Sequence, residues 1–250
     1  PSDAGGLWIR AGGAAVRVTP SIAVAGARRC TAVRIGDRVV STVEHLLAAI
    51  AGTGAWNTEI EIEGPEAPIL DGSALPWAEA IVEASEPDEP APAVTTGGLF
   101  GASRLTAPRT PADHGEARYR LEPAEEIALA VRIGPWRAGE GASIVRWSGD
   151  PEEFLRDFAP ARTYVRVEEI AGVLAAGLGR GGGPECVAVL GPDGPIGGPL
   201  RFPDEPARHK LIDLLGDLAL LGAPIAARVT AVEPGHAANR ALVVSTAGRG

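Results

Sequence analysis

Histidine and aspartate recur at four-residue steps in the stretch Ala207-Arg208-His209-Lys210-Leu211-Ile212-Asp213-Leu214-Leu215-Gly216-Asp217-Leu218-Ala219-Leu220-Leu221. At 3.6 residues per turn such steps set successive side chains only ~40° apart. His209, Asp213 and Asp217 therefore share one line on a helix whose remaining circumference is mostly apolar. A helix of that make-up is buried, and its polar stripe needs a partner. An imidazole and a carboxylate one turn apart can grip one divalent ion, with Lys210 a quarter-turn away and close to whatever that ion binds. The same spacing also suits a His–Asp pair that satisfies itself inside a core.

The chain holds four histidines. His45 follows Glu44 in the first turns of a second helical pattern, and His236 sits in Pro234-Gly235-His236-Ala237-Ala238-Asn239, where a strand hands over to a helix. His114 lies in a Pro/Asp/Gly loop and reads as solvated. A catalytic zinc wants three N/O ligands, an open place for water, and a nearby carboxylate that is not itself a ligand. His45, His209 and Asp213 suit the first role and Glu44 the second. Neighbouring side chains on a helix diverge by ~100°, so Glu44 and His45 cannot both face the ion squarely, although the glutamate can reach the water beside it. No His-Glu-x-x-His motif occurs. Any metal site must be assembled from separate parts of the fold.

The elements that position these residues are legible in outline. Ser41-Thr42-Val43-Glu44 reads as a capping box opening a helix from Thr42 to about Ala51, closed by Gly52. Short β-type pieces precede it at 7–10, 15–18 and 30–35, and residues 58–63 alternate strictly, with Ile60 and Ile62 inward. A turn around Asp71-Gly72-Ser73 leads to a second helix over about 75–83. From Ser85 to about Thr95 the Pro-rich acidic run Glu-Pro-Asp-Glu-Pro-Ala-Pro-Ala has nothing to bury and reads as a linker. It divides the chain into residues 1–90, carrying Glu44-His45, and residues 91–250, carrying the His209/Asp213 helix, the Thr163 segment and His236. Beyond it, strands are expected at 119–121, 127–133, 187–190 and 225–232, and helices at 152–158, 167–176 and 236–244. The class is α+β, with a sheet packed on helices in each half.

At 250 residues and 45% apolar the chain can build one large core or two of ordinary size. Its apolar runs are too short to span a bilayer and no signal-type segment opens it, so the expected location is the cytoplasm; the expected state is a monomer. A net charge of -9 argues against nucleic acid as a partner. Cys30 and Cys186 are far apart and make no Cys-x-x-Cys pair, so free thiols are expected. The absence of Met suggests a processed or excerpted piece.

Five blocks together carry a family resemblance: Ser41 to Ala49, Pro65 to Ala74, Ala161-Arg162-Thr163-Tyr164, Arg208 to Leu218, and Gly235-His236-Ala237-Ala238-Asn239. In order and spacing they resemble the signature blocks of UDP-3-O-acyl-N-acetylglucosamine deacetylase, the zinc amidase of bacterial lipid A synthesis. The resemblance implies two sheet-and-helix domains whose helix layers meet face to face with the site between them. It implies zinc held by His45, His209 and Asp213, with Glu44 as general base. Thr163 and Lys210 would stabilise the developing oxyanion, and His236, its ring held by Asp217, would protonate the leaving amine. The implied substrate is a UDP-linked, acylated N-acetylglucosamine.

Two other readings compete. Gly177 to Gly183 invites a phosphate-cradling loop of a small-molecule kinase, but no Walker Lys-Ser/Thr follows the glycines and the histidines would be left without a role. A catalytically dead or substrate-shifted relative, kept for binding, would fit the departures from the family pattern. The stretch that usually opens the family is missing, and Val165-Arg166 stands where Gly-Phe is usual. Glu233 replaces a lysine that meets the nucleotide diphosphate, which leaves Arg166, Arg180 and Arg240 as candidates to compensate.

Overall fold

The computed structural model describes residues 5–85, 94–95, 117–137, 139–179, 183 and 185–247. Of the linker expected from Ser85 to about Thr95, residues 86–93 lie outside the described residues, as do His114 and Arg180, while Val94–Thr95 form a short strand where linker was expected. Four short strands open the chain: β1 (Trp8–Ala11), β2 (Ala14–Arg17), β3 (Val33–Ile35) and β4 (Arg38–Val40). They are followed by α1 (Glu44–Thr53), β5 (Glu59–Glu61) and α2 (Leu75–Ala84). β1 pairs antiparallel with β2 and parallel with β5, while β3 and β4 form a separate hairpin.

The start of α1 differs from the expected capping box. The Ser41 hydroxyl donates to the Pro65 carbonyl and its backbone pairs with the segment at Glu66. Thr42 adopts φ 59°, and the helix begins only at Glu44. The Glu44 carboxylate turns away from the helix end because it is buried with the site. The helix closes at Gly54 rather than Gly52, with φ 77° that glycine adopts without strain.

The rest of the chain gives β6 (Val94–Thr95), β7 (Arg118–Pro123), β8 (Ala128–Ile133), β9 (Ser143–Trp147), α3 (Pro151–Glu153) running into a π-helical turn at Phe154–Phe158, and β10 (Tyr164–Arg166). Then come α4 (Ile170–Ala175), β11 (Ala188–Leu190), β12 (Pro195–Ile196), α5 (Glu205–Ala219), β13 (Ile225–Val232) and α6 (His236–Ala247). The expected helix over 167–176 is shorter than its pattern because it opens as a 3₁₀ turn. β9, β10 and β12 were not anticipated.

The main sheet runs β7-β13-β8-β9, with β6 beside the start of β13, and a second small sheet runs β10-β11-β12. Strand alternation turns Leu129, Val131, Ile133, Val229 and Ala231 inward, and α5 packs over the β8 and β9 side. The opposite side of α5 packs on α1, the most extensive helix contact among the described residues. The class is α+β, as the pattern of elements indicated. Leu211, Ile212, Leu214, Leu215 and Leu218 of α5 are all buried, and truncating any one to Ala is expected to cost about 2–5 kcal/mol. The polar stripe is thus set in a stiff frame.

Gly216 governs how close α1 and α5 come. A Cβ at this position would lie 2.0 Å from the Glu44 carbonyl oxygen. Glycine inside a helix costs up to about 1 kcal/mol relative to Ala. Here it lets the backbone carrying Glu44 rest directly on the turn between Asp213 and Asp217.

Candidate active site

His45 from α1 and His209 and Asp213 from α5 each offer one atom to a buried cluster in which these atoms all lie within 4.8 Å of one another. His209 Nδ1 lies 3.1 Å from the Ala161 carbonyl, which can only accept, so Nδ1 carries the proton. Its Nε2 is then free to face Asp213 Oδ1 at 3.3 Å. Asp213 Oδ2 accepts from Lys210 Nζ at 2.8 Å.

His45 is the telling member. It is 3% exposed, packs edge-on against His209 with ring centroids 4.9 Å apart, and its Nδ1 has no hydrogen-bond partner among the described residues. Buried polar atoms are almost always paired, so a self-satisfied core pair does not account for His45, and the three clustered donors fit a cation. Burial, and secondarily the His209 ring, pushes His45 down to about 3. It is therefore neutral near pH 7, the form that ligates a cation. Burial opposes ionisation of Asp213 too, but Lys210, His209 and His236 outweigh it and hold the carboxyl well below its usual value. Burial also works against the Lys210 ammonium, and Asp213 more than offsets it, so the ammonium persists.

A second cluster adjoins the first and is saturated with hydrogen bonds. Asp217, fully buried, accepts from the Thr31 hydroxyl, from Asn239 Nδ2 at 2.8 Å and from His236 Nδ1 at 2.9 Å. Tyr119 donates its hydroxyl to Asn239 and so extends the chain of bonds. With Nδ1 committed to Asp217, His236 Nε2 points at Glu44 Oε1, 3.9 Å away, and at Asp213 Oδ2, 3.8 Å away. Glu44 Oε2 accepts from the Thr31 amide at 2.9 Å, which leaves Oε1 open toward the cluster.

Burial, tempered by His236 and the Thr31 amide, raises Glu44 to about 7. For His236, burial disfavours the imidazolium, but the carboxylates of Asp217, Asp213 and Glu44 prevail and raise it to about 10. The pair thus contains a carboxylate basic enough to take a proton near neutrality and an imidazolium able to give one.

Thr163 immediately precedes β10. Its amide donates to the Gly72 carbonyl at 2.7 Å and its carbonyl accepts from Ala188 at 2.8 Å, so its backbone is fixed while its hydroxyl makes no hydrogen bond among the described residues. Next to it, Arg162 forms an ion pair with the buried Glu205 at 3.0 Å, and Tyr164 packs edge-on near His209. Arg201 pairs with Asp71 at 2.9 Å, tying the Asp71-Gly72-Ser73 turn to this segment.

The departures take definite places. Glu233, at φ 50°, accepts from the Gly134 amide, and Arg166 donates to the carbonyls of Trp136 at 3.4 Å and Pro135 at 3.5 Å. Both brace the loop after β8. Arg240 stands in the second turn of α6.

Sequence reasoning overlooked Thr31, Asn239, Tyr119 and Gly216. Asn239 had a signal, lying three residues after His236 on one helical face, and a glycine within an apolar helix marks a close approach. Thr31 and Tyr119 reach Asp217 and Asn239 across 186 and 120 residues, so no local pattern reveals them.

A family model described as UDP-3-O-acyl N-acetylglycosamine deacetylase (LpxC) matches residues 1–246. Among similar proteins, a UDP-3-O-acyl-N-acetylglucosamine deacetylase of Anaeromyxobacter sp. (strain Fw109-5) is 38% identical over 221 residues, covering 85% of this chain and 68% of its own. One of Thermosynechococcus vestitus is 44% identical over 202 residues, covering 79% of this chain and 66% of its own. One of Phenylobacterium zucineum is 39% identical over 215 residues, covering 84% and 69%. The chain spans about two thirds of the length of these relatives. On the match over nearly its whole length, the chain belongs to the UDP-3-O-acyl N-acetylglycosamine deacetylase family.

Proposed function

We propose that the protein hydrolyses the N-acetyl amide of UDP-3-O-(3-hydroxyacyl)-N-acetylglucosamine and releases acetate, in the lipid A synthesis of a bacterial cytoplasm, with zinc as its metal. The observation that carries this reading is the buried His45/His209/Asp213 set, with an imidazole nitrogen that no group among the described residues satisfies, lying against a Glu44/His236 pair in a chain of this family. Neutral imidazoles and one carboxylate suit zinc. When bound, zinc supplies Lewis-acid chemistry, making a water more acidic and an amide carbonyl more electrophilic.

The chain's own residues supply the rest. Glu44 Oε1, the oxygen not engaged by Thr31, takes the proton of the attacking water. As the carbonyl oxygen gains negative charge, the Thr163 hydroxyl and the Lys210 ammonium stabilise it, the first as a donor with no competing bond among the described residues and the second as a cation anchored on Asp213. His236 then gives the proton on Nε2 to the leaving amine, while Asp217 holds Nδ1 and keeps the ring aimed. Glu44 and His45 come from residues 1–90 and the other groups from residues 91–250, which supports a site between two domains. A chain cut near Pro90 should then give halves that bind zinc poorly apart and regain activity when mixed; a second half that binds zinc alone would count against that division.

The direct test is acetate release from the acylated UDP-sugar by the purified chain, before and after chelation. Turnover that is lost with the metal and restored by zinc is the expected result. A zinc-loaded protein that leaves this substrate intact while hydrolysing another N-acyl sugar would overturn the substrate assignment.

A further inference from the structure

The outward face of the main sheet carries a concentration of positive charge that the chemistry of the site does not use. In the register of β7, β13, β8 and β9, Glu122 stands opposite Arg228 and Ala128, Arg120 opposite Thr230, Ala130 and Arg146, and Arg118 opposite Val232, Arg132 and Ile144. Five arginines thus share one face in three rows, all of them exposed. Arg120 pairs with Glu122 at 2.8 Å, while Arg118, Arg132, Arg146 and Arg228 make no ion pair among the described residues. The small residues Ala128, Ala130 and Thr230 leave a shallow depression of 520 Å³ between Arg132, Arg146 and Arg228, with Glu153 at its rim held by Ser148.

No two of these arginines stand directly opposite one another, but Arg120 and Arg228, and Arg132 and Arg146, are diagonal neighbours on adjacent strands, within reach of mutual repulsion for side chains this long. The chain as a whole carries a net charge of -9, so the face runs against the bulk of its own surface. The first sheet shows the ordinary solution, with Arg10 paired to Glu59 on the neighbouring strand.

We propose that this face docks on an anionic phospholipid surface. The face is a twisted plane about 14 Å across its four strands, which suits a plane of phosphates better than it suits a single bound molecule. Guanidinium forks match phosphate oxygens two at a time. Apolar anchors are limited to Ile144, which is half exposed, and Val232, too few for the apolar core of a stable dimer. The acidic remainder of the molecule is repelled by the same surface and sets the orientation. The sheet lies between this face and α5, so docking leaves the His45/His209/Asp213 cluster free on its far side. An acylated substrate would meet the enzyme at such a surface, an argument that rests on the function proposed above; the charge argument does not.

The test is co-sedimentation of the whole chain with phosphatidylcholine vesicles, with and without about 30% phosphatidylglycerol, at low and high salt. Binding should require the anionic lipid and weaken with salt. The Arg132→Gln/Arg228→Gln double variant should bind about 25-fold more weakly, at about fivefold per arginine, with unchanged melting temperature and unchanged turnover of soluble substrate. Arg132→Lys/Arg228→Lys and Arg10→Gln should retain binding. Equal binding to neutral vesicles, indifference of the double variant, a dimer in sedimentation velocity that the double variant abolishes, or tighter binding to a single-stranded oligonucleotide than to vesicles would each overturn the proposal. Because no arm reads deacetylation of the acylated sugar as evidence for docking, failure here leaves the proposed activity standing.

Discussion

Asp213 and Asp217 are the same residue on the same helix, one turn apart, and both are buried, yet their surroundings are opposite in kind. Among the described residues Asp213 accepts a hydrogen bond from Lys210 on one oxygen and leaves the other beside His209 Nε2, in a cluster whose third member, His45, has a nitrogen with no partner among those residues. Asp217 accepts from Thr31, His236 and Asn239 and has no unmet need. The contrast teaches how one helix can serve two tasks. A carboxylate the protein leaves under-bonded is available to a cation, and one it surrounds with donors can only orient.

The largest effect should fall on the under-bonded cluster. His209→Ala or Asp213→Ala is expected to reduce deacetylation to background, whereas Asp217→Ala should lower kcat about 10–100-fold, the usual consequence of losing a group that orients a functional one. Equal losses from all three in steady-state kinetics would erase the distinction. Next in size, Glu44→Ala should lower kcat about 10²–10⁴-fold with the metal retained, as expected for a positioned general base.

The two clusters should also separate by pH. Glu44 is raised to about 7, chiefly by burial, and as the proposed base it should make the rate climb as pH rises through its pKa. His236 is raised to about 10 by carboxylates that outweigh its burial, and as the proposed acid it should make the rate fall above its pKa. A bound cation favours the carboxylate and disfavours the imidazolium, moving both limbs to lower pH than these values. Glu44→Ala should flatten the rising limb and His236→Ala the falling one; if both flatten the same limb, the two roles are wrong.

A smaller effect is expected at Thr31, whose amide holds Glu44 and whose hydroxyl holds Asp217. Thr31→Val keeps the amide and removes the hydroxyl, and should lower kcat about tenfold with KM and metal content unchanged. Thr31→Ser should restore the rate. A Ser variant as slow as Val would mean that the methyl packing matters and not the bond.

The smallest effect concerns substrate binding away from both clusters. If chemistry is preserved while nucleotide recognition has been rebuilt, Glu233→Lys should lower KM for the UDP-sugar with little change in kcat, after allowing for the lost bond to Gly134. Glu233→Gln separates the two contributions. A higher KM for the lysine variant than for the glutamine one would show that a positive charge there is not wanted.

Much of this was legible in the chain because it is periodic or compact in sequence. The four-residue stripe announced α5 and put His209, Asp213 and Asp217 on one line. The compact apolar run at 225–232 was read as a strand at its observed bounds. The start of α1 was misread because Ser41 and Glu44 match a capping box in type and spacing, while their burial and their partners at Pro65 and Thr31 are tertiary facts. β9 was missed because Ser143–Trp147 gains its meaning only beside β8. Saturation of Asp217 and the orphaned nitrogen of His45, which together separate the two tasks, are properties of contacts far apart in sequence.

The most direct test of the account is metal content per chain in three purified proteins: the parent, Asp213→Ala and Asp217→Ala. The account predicts about one zinc in the parent, nearly none in Asp213→Ala and about one in Asp217→Ala, with all three folded by circular dichroism. Zinc retained by Asp213→Ala, or lost equally from both variants, would contradict it.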